Sequence, residues 1–125
     1  MLNGNLFVTI LAVIEIREYL DARGRSPYAK WFDRLNAQAA AKVATAVIRI
    51  GQGNTSSAKG VGGGLFEARI DFGPGYRIYF GRDGDLLVIL LGGGTKQRQQ
   101  EDIETARALW KDYKARRTRE KRPWR

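Results

Sequence analysis

Arginines, lysines and one tyrosine are the residues of this chain whose types and spacing bear on chemistry. The 125 residues include no histidine and no cysteine. That removes the commonest acid/base group at neutral pH, the commonest zinc ligand, disulfides and thiolate metal sites. Catalysis, if present, falls to Lys, Arg, Tyr, carboxylates or hydroxyls. Arg69 and Arg77 sit on two neighbouring β-like runs, with Tyr79 beside Arg77. Lys59 precedes these runs in a glycine- and serine-rich stretch, and Lys96 and Arg98 follow the apolar run that comes next. Cations converging on a sheet face, with a phenol among them, form a plausible site for an RNA phosphate.

The composition agrees with an anionic partner. There are 22 basic and 13 acidic residues, a net charge of +9 and a pI near 10.3. Six basic residues and one acid lie in Arg116–Arg125, which reads as a basic tail. The bland reading of Arg69 and Arg77 is a solvated face paired to Glu67 or Asp71, since cross-strand charge pairs are common and contribute only about 0.2–1 kcal/mol. Acidic residues lack metal-ligand spacing, and Glu101, Asp102 and Glu104 suit the first turn of a helix; neither a metal nor a cofactor is expected. Gly92-Gly93-Gly94 follows an apolar run, but neither GxGxxG nor GxxxxGK[ST] is present, so it reads as a loop leaving the sheet.

The elements that must position these side chains centre on residues 65–91. Leu65–Phe72, Tyr76–Phe80 and Leu86–Leu91 read as three strands joined at Gly73-Pro74-Gly75 and Gly81–Gly84. Alternation puts Phe66, Ala68, Ile70 and Phe72 on one face of the first run and Tyr76, Ile78 and Phe80 on one face of the second. Glu67, Arg69, Asp71, Arg77 and Tyr79 take the other, expected to be open. The third run is apolar throughout, as in a central strand. Upstream, Val13–Tyr19 reads as a first strand. Ser26-Pro27 caps a helix carrying Tyr28, Trp31, Phe32 and Leu35, and Gln38–Ile50 forms a second helix, with Gly51 at its C′ position. Gln52–Gly64 reads as a loop, and Glu101–Lys114 as a last helix. The order is β-αα-βββ-α in a single α+β domain over residues 1–125: a small, mostly antiparallel sheet, a helical hairpin on one face, and a C-terminal helix. Met1–Leu11 reads as an extension or a longer first strand. The apolar run Leu6–Ile16 is too short to span a membrane and has neither a basic segment before it nor a clear cleavage site after it, so no signal peptide is expected and a cytoplasmic location is.

WFDRLN, IRIGQGN, KGVGGGLFEARIDFGPGYRIYF and LVILLGGGTKQRQQEDIETA together resemble the addiction-module killer proteins, HigB-like toxins of the RelE/ParE superfamily in type II toxin–antitoxin systems. The resemblance covers about Val13–Lys114, with FEARIDFGPGYRIYF its most specific piece. It implies a RelE/ParE-like fold and a metal-independent endoribonuclease that cuts mRNA on the ribosome. It also implies a cognate antitoxin, often with a helix-turn-helix domain, through which operator DNA is bound. On this resemblance Arg77 matches the strand arginine that contacts the scissile phosphate. Lys96, Arg98 and Lys59 lie where the family carries basic residues. The wider family has GGDKSTQ where this chain has GGGTKQRQ.

In that chemistry a ribose 2′-OH attacks the adjacent phosphorus, the dianionic transition state needs positive charge, and the leaving 5′-oxygen needs a proton. Arg77 is the expected transition-state stabiliser, Arg69 and Arg98 are phosphate contacts, Lys59 or Lys96 is acid or base, and Tyr79 is the weaker acid/base candidate. The ParE-like branch, which poisons DNA gyrase, and a catalytically inactive binding module are the alternatives.

Overall fold

The computed structural model describes residues 13–120. The expectations for Met1–Leu11 and for the end of the basic tail lie outside the described residues. The chain is α+β, with β1 (Glu15–Glu18), α1 (Pro27–Phe32), α2 (Ala37–Gly51), β2 (Ala58–Gly62), β3 (Leu65–Ile70), β4 (Tyr76–Arg82), β5 (Leu87–Thr95) and α3 (Gln99–Glu120). A short 3-10 helix, Lys96–Arg98, leads into α3. The five strands form one sheet in the order β1-β5-β4-β3-β2. β1 is parallel to β5 and the other pairings are antiparallel. Among the described residues no helix is long and apolar enough to cross a membrane.

Local signals explain the helical hairpin. The Ser26 side chain accepts a hydrogen bond from the Ala29 amide at 3.0 Å and Pro27 occupies the first turn. Asn36 caps α2 in the same way through Ala39, at 2.9 Å. Each cap satisfies an amide that the first helical turn leaves without a partner. Tyr28, Val43 and Ile50 pack with Ala68, Ile78, Phe80, Val88 and Leu90 in one core layer between the hairpin and the sheet. On the other face α3 lays Ala106 and Trp110 over Leu65, Tyr79, Ile89 and Leu91. The sheet is therefore covered by helices on both sides.

Four sequence expectations need correction. The stretch 52–64 contains a strand, β2, so Lys59 lies on an edge strand rather than in a loop. The order is thus β-αα-ββββ-α. β2 has few β-formers and exists by pairing with the free edge of β3. Gly92, Gly93 and Gly94 continue β5 instead of leaving the sheet. A Cβ at Gly93 would collide with the Trp31 ring, and one at Gly94 with the Asp102 carboxylate, so close packing accounts for both glycines. Gly51 closes α2 within the helix, and Gly53 (φ +85°) makes the turn. Finally, α3 runs to Glu120, through the first half of the expected basic tail. Its last turns are held by Tyr19 donating to Asp112 (2.6 Å), by Tyr113 donating to Asp83 (2.8 Å) and by the Arg117–Asp83 ion pair (2.8 Å).

Trp110 anchors α3. Its indole N–H donates to the Gly63 carbonyl at 2.7 Å, its ring stacks on Tyr113, and it rests on Gly81, where a Cβ would collide with it. Trp110→Ala is expected to cost about 3–5 kcal/mol of stability, and Gly81→Ala about 1–3 kcal/mol by overpacking. In the Trp110→Ala background most of the Gly81→Ala penalty should vanish, because the collision is gone. Urea unfolding of the two single variants and the double variant measures that coupling; additive penalties would refute the contact.

Burial also holds Tyr28 and Tyr113 in the neutral form, pushing both phenols up from 10.0 to about 12. The Glu18 charge assists at Tyr28, and the hydrogen bond to Asp83 assists at Tyr113. A native pKa above the unfolded value stabilises below the unfolded pKa and loses that contribution as pH rises through the native one. Stability should therefore decline between about pH 10 and pH 12. Phenolate absorbance should appear together with loss of near-ultraviolet circular dichroism. All phenols ionising in a still-native protein near pH 10 would contradict the assignment.

Candidate functional site

The face read as open carries its charged groups at the N-terminal end of α3, and part of it is buried. Register places Lys59, Glu67, Tyr79 and Gly92 side by side across β2, β3, β4 and β5. The next row on the same face is Arg69, Arg77 and Gly94. Glu67 is fully buried and Arg77 nearly so, whereas the Arg69 side chain is 53% exposed. Lys59, Lys96 and Arg98 are exposed.

Glu67 is the hub. Its carboxylate accepts from the Tyr79 hydroxyl at 3.1 Å and from the Gln99 amide, with oxygen–nitrogen distances of 2.8 and 3.1 Å. The Arg69 Nε approaches at 3.5 Å and the Arg77 Nε at 4.0 Å. A buried carboxylate must be paired and hydrogen-bonded, and all these donors converge on one group. Arg77 has a second anchor: its Nη1 donates to the Gly75 carbonyl at 2.8 Å. The same carbonyl accepts from the Lys96 backbone amide at 2.9 Å. The Gly73-Pro74-Gly75 turn thereby ties the β4 arginine to the start of the 3-10 helix. The buried Arg77 Nε–H has no hydrogen-bond acceptor among the described residues.

The structure brings Arg69, Arg77, Tyr79, Lys59 and Lys96 to this one region. Arg98 is set apart: it pairs with Glu101 at 3.4 Å and lines an adjoining groove of about 510 Å³ with Lys30, Trp31, Arg34 and Asp102. Tyr79 does not lie on an open face. It is 1% exposed and its hydroxyl is committed to Glu67. Burial first, and then the Glu67 charge and hydrogen bond, push its phenol well above the usual tyrosine range. It acts as a fixed donor that orients Glu67. Three members escaped the sequence reading in these roles: Glu67 as hub, Gln99 as its second donor, and Asp102. Asp102 is half-buried against Gly94, and burial raises its carboxyl while the Arg98 charge opposes this. Alternation did put Glu67 beside the arginines; nothing local marks Gln99. Among the described residues no three Asp or Glu side chains gather as a metal-ligand set.

The arrangement is cationic. Arg69 and Arg77 oppose each other directly across β3 and β4, and like charges so placed are destabilising. Among the described residues Glu67 is the one carboxylate within 4.0 Å of either. Lys59 and Lys96, both exposed, border this arrangement. Chemically, this is a place where an anion can be held and negative charge developing on it stabilised.

No protein-family model matches the chain. It is 44% identical over 80 residues to an uncharacterized protein of Haemophilus influenzae, an alignment covering 63% of this chain and 81% of that protein. At that identity and coverage the chain belongs to the family of this Haemophilus influenzae protein.

Proposed function

We propose that the protein is a RelE/ParE-like toxin of the HigB-like kind: a metal-independent endoribonuclease that cuts translated mRNA and is neutralised by a cognate antitoxin. The observation that carries this reading is the Arg69–Arg77 pair. Two guanidiniums are built directly opposite each other, share one buried carboxylate, and leave the Arg77 Nε–H without an acceptor. An unsatisfied buried donor costs about 1–3 kcal/mol. A fold that retains both the repulsion and the orphan donor suits an anion arriving from outside. The sequence resemblance and the mixed sheet flanked by a hairpin and a terminal helix support the same assignment.

In this mechanism the scissile phosphate lies against Arg77, with Arg69 as a second contact. Their charge stabilises the dianionic transition state formed as the 2′-OH attacks phosphorus. Lys59 and Lys96 stand at the rim, where one takes the 2′-OH proton as base and the other supplies a proton to the leaving 5′-oxygen as acid. Glu67 and Tyr79 position the guanidiniums. An acidic antitoxin segment would neutralise the same cations, and its hold should weaken in high salt.

The test is induction of the wild type and of Arg77→Ala without antitoxin, following growth and message integrity. The wild type should arrest growth and cut translated mRNA, and the variant should do neither. Arrest by both with intact messages would refute the nuclease reading and point to a target such as gyrase. No effect from either would leave an inactive binding module. Stability separates fold from function. Arg77→Ala leaves Glu67 its Tyr79 and Gln99 donors and removes a like-charge contact, so the variant should stay folded. Glu67→Ala strips the buried Arg77 of its counter-charge and should cost about 3–5 kcal/mol in urea unfolding.

A further inference from the structure

A second cationic site lies on the other side of the sheet. Between α2 and the end of β3 is a cavity of about 330 Å³ whose wall includes Lys42, Thr45, Arg49, Ser57, Arg69 and Asp71. Lys42, Thr45 and Arg49 share one helical stripe, at i, i+3 and i+7, and all three are exposed. A different stripe of α2, with Ala39, Val43 and Ile50, is the one buried in the core. The outward cations are thus surplus to folding. Among the described residues neither Lys42 nor Arg49 has a carboxylate within 4.0 Å. The Lys42 ammonium is steadied over the Phe72 ring, 5.4 Å from its centroid. Asp71 is the one acid on a wall that carries three cations, Lys42, Arg49 and Arg69. Hydroxyls and cations dominate this lining, which suits a phosphate with its sugar better than an apolar ligand.

Arg69 joins the two sites. It borders this cavity and also reaches Glu67 in the Arg77 cluster. We propose that the α2 groove binds a backbone phosphate of single-stranded RNA next to the one held at Arg77, so that the strand crosses the Arg69 end of β3. This rests on the RNA-cleaving reading and adds to it a second phosphate subsite, indifferent to base identity. Phosphate contacts position a strand and carry most of the salt dependence, whereas base contacts specify sequence.

The experiment uses the full chain and a fluorescent single-stranded 2′-O-methyl RNA 12-mer, which has no attacking hydroxyl. Binding is followed by anisotropy across a potassium chloride series for the wild type, Lys42→Glu/Arg49→Glu and the milder Lys42→Gln/Arg49→Gln. Both positions are exposed on α2, and circular dichroism verifies the fold. The Glu pair should weaken binding at least about tenfold at low salt. The Gln pair should make the slope of log K against log salt shallower by about 0.7, for the one lost phosphate. The loss should be equal for oligonucleotides of different sequence. Wild-type affinity and slope in both variants would overturn the proposal, as would undiminished RNA binding with loss of an acidic peptide, which would make a protein segment the occupant. The toxin reading fails separately, on growth and message cutting with Arg77→Ala.

Discussion

The burial of Glu67 is the constraint on which the arrangement of this face depends. A fully buried carboxylate needs donors, and it collects them from two strands and from the first residue of α3: Tyr79, Arg69, Arg77 and Gln99. Each donor is held in turn by something else. Arg77 is tied to the Gly75 turn, Gln99 begins the terminal helix, and Tyr79 belongs to the α3 core layer. The carboxylate therefore sets where α3 starts relative to β3 and β4, and it lets two opposed arginines coexist. Buried charge clusters of this kind are weak evidence of stability, because apolar replacements often match them. Their persistence is better explained by the net positive charge left over at the rim.

Close packing carries that constraint across the layers. Trp31 lies on Gly93 from the hairpin side, Asp102 lies on Gly94 from the α3 side, and Trp110 lies on Gly81 further along. Three glycines thus bring both helical layers to the backbone of β4 and β5. Gly94 stands opposite Arg77 in register, so the Asp102 contact and the Glu67 cluster are adjacent. The site is built on paired strands and a helix terminus rather than on mobile loops, and such elements hold side chains more firmly.

Much of this was legible from the residues, and the failures have physical causes. Alternation placed Phe66, Ala68, Ile78 and Phe80 on the hairpin face and Glu67, Arg69, Arg77 and Tyr79 on the other, because period-two patterning is local. Ser26 announced its helix through a cap. Alternation assigns a face without saying what covers it, which is why Tyr79 read as an open phenol. β2 was missed because Ala-Lys-Gly-Val-Gly lacks intrinsic strand preference; its pairing comes from β3. Gly92–Gly94 read as a loop because a glycine run looks like a break until the side chains that press on it are known. The extra length of α3 arises from contacts such as Tyr19–Asp112 and Tyr113–Asp83, which link residues far apart in the chain.

The start and the middle of α3 divide the labour on its side of the sheet. Toward its middle, Trp110 and Ala106 seal an apolar layer against Leu65, Ile89 and Leu91. At its start, apolar burial gives way to Glu67 and its donors, and then to exposed Arg69, Lys59 and Lys96. Arg77 lies at this boundary, with a side chain only 7% exposed yet next to a solvated arginine. That position suits an anion-binding group. Low local polarisability strengthens its field, while the open rim admits a ligand without disturbing the sealed layer. A cation buried further under Trp110 would be unreachable, and one further out would be screened by water. The transition from apolar cover to cationic rim along one helix thus confines any phosphate chemistry on this face to the strip between Lys59 and Lys96.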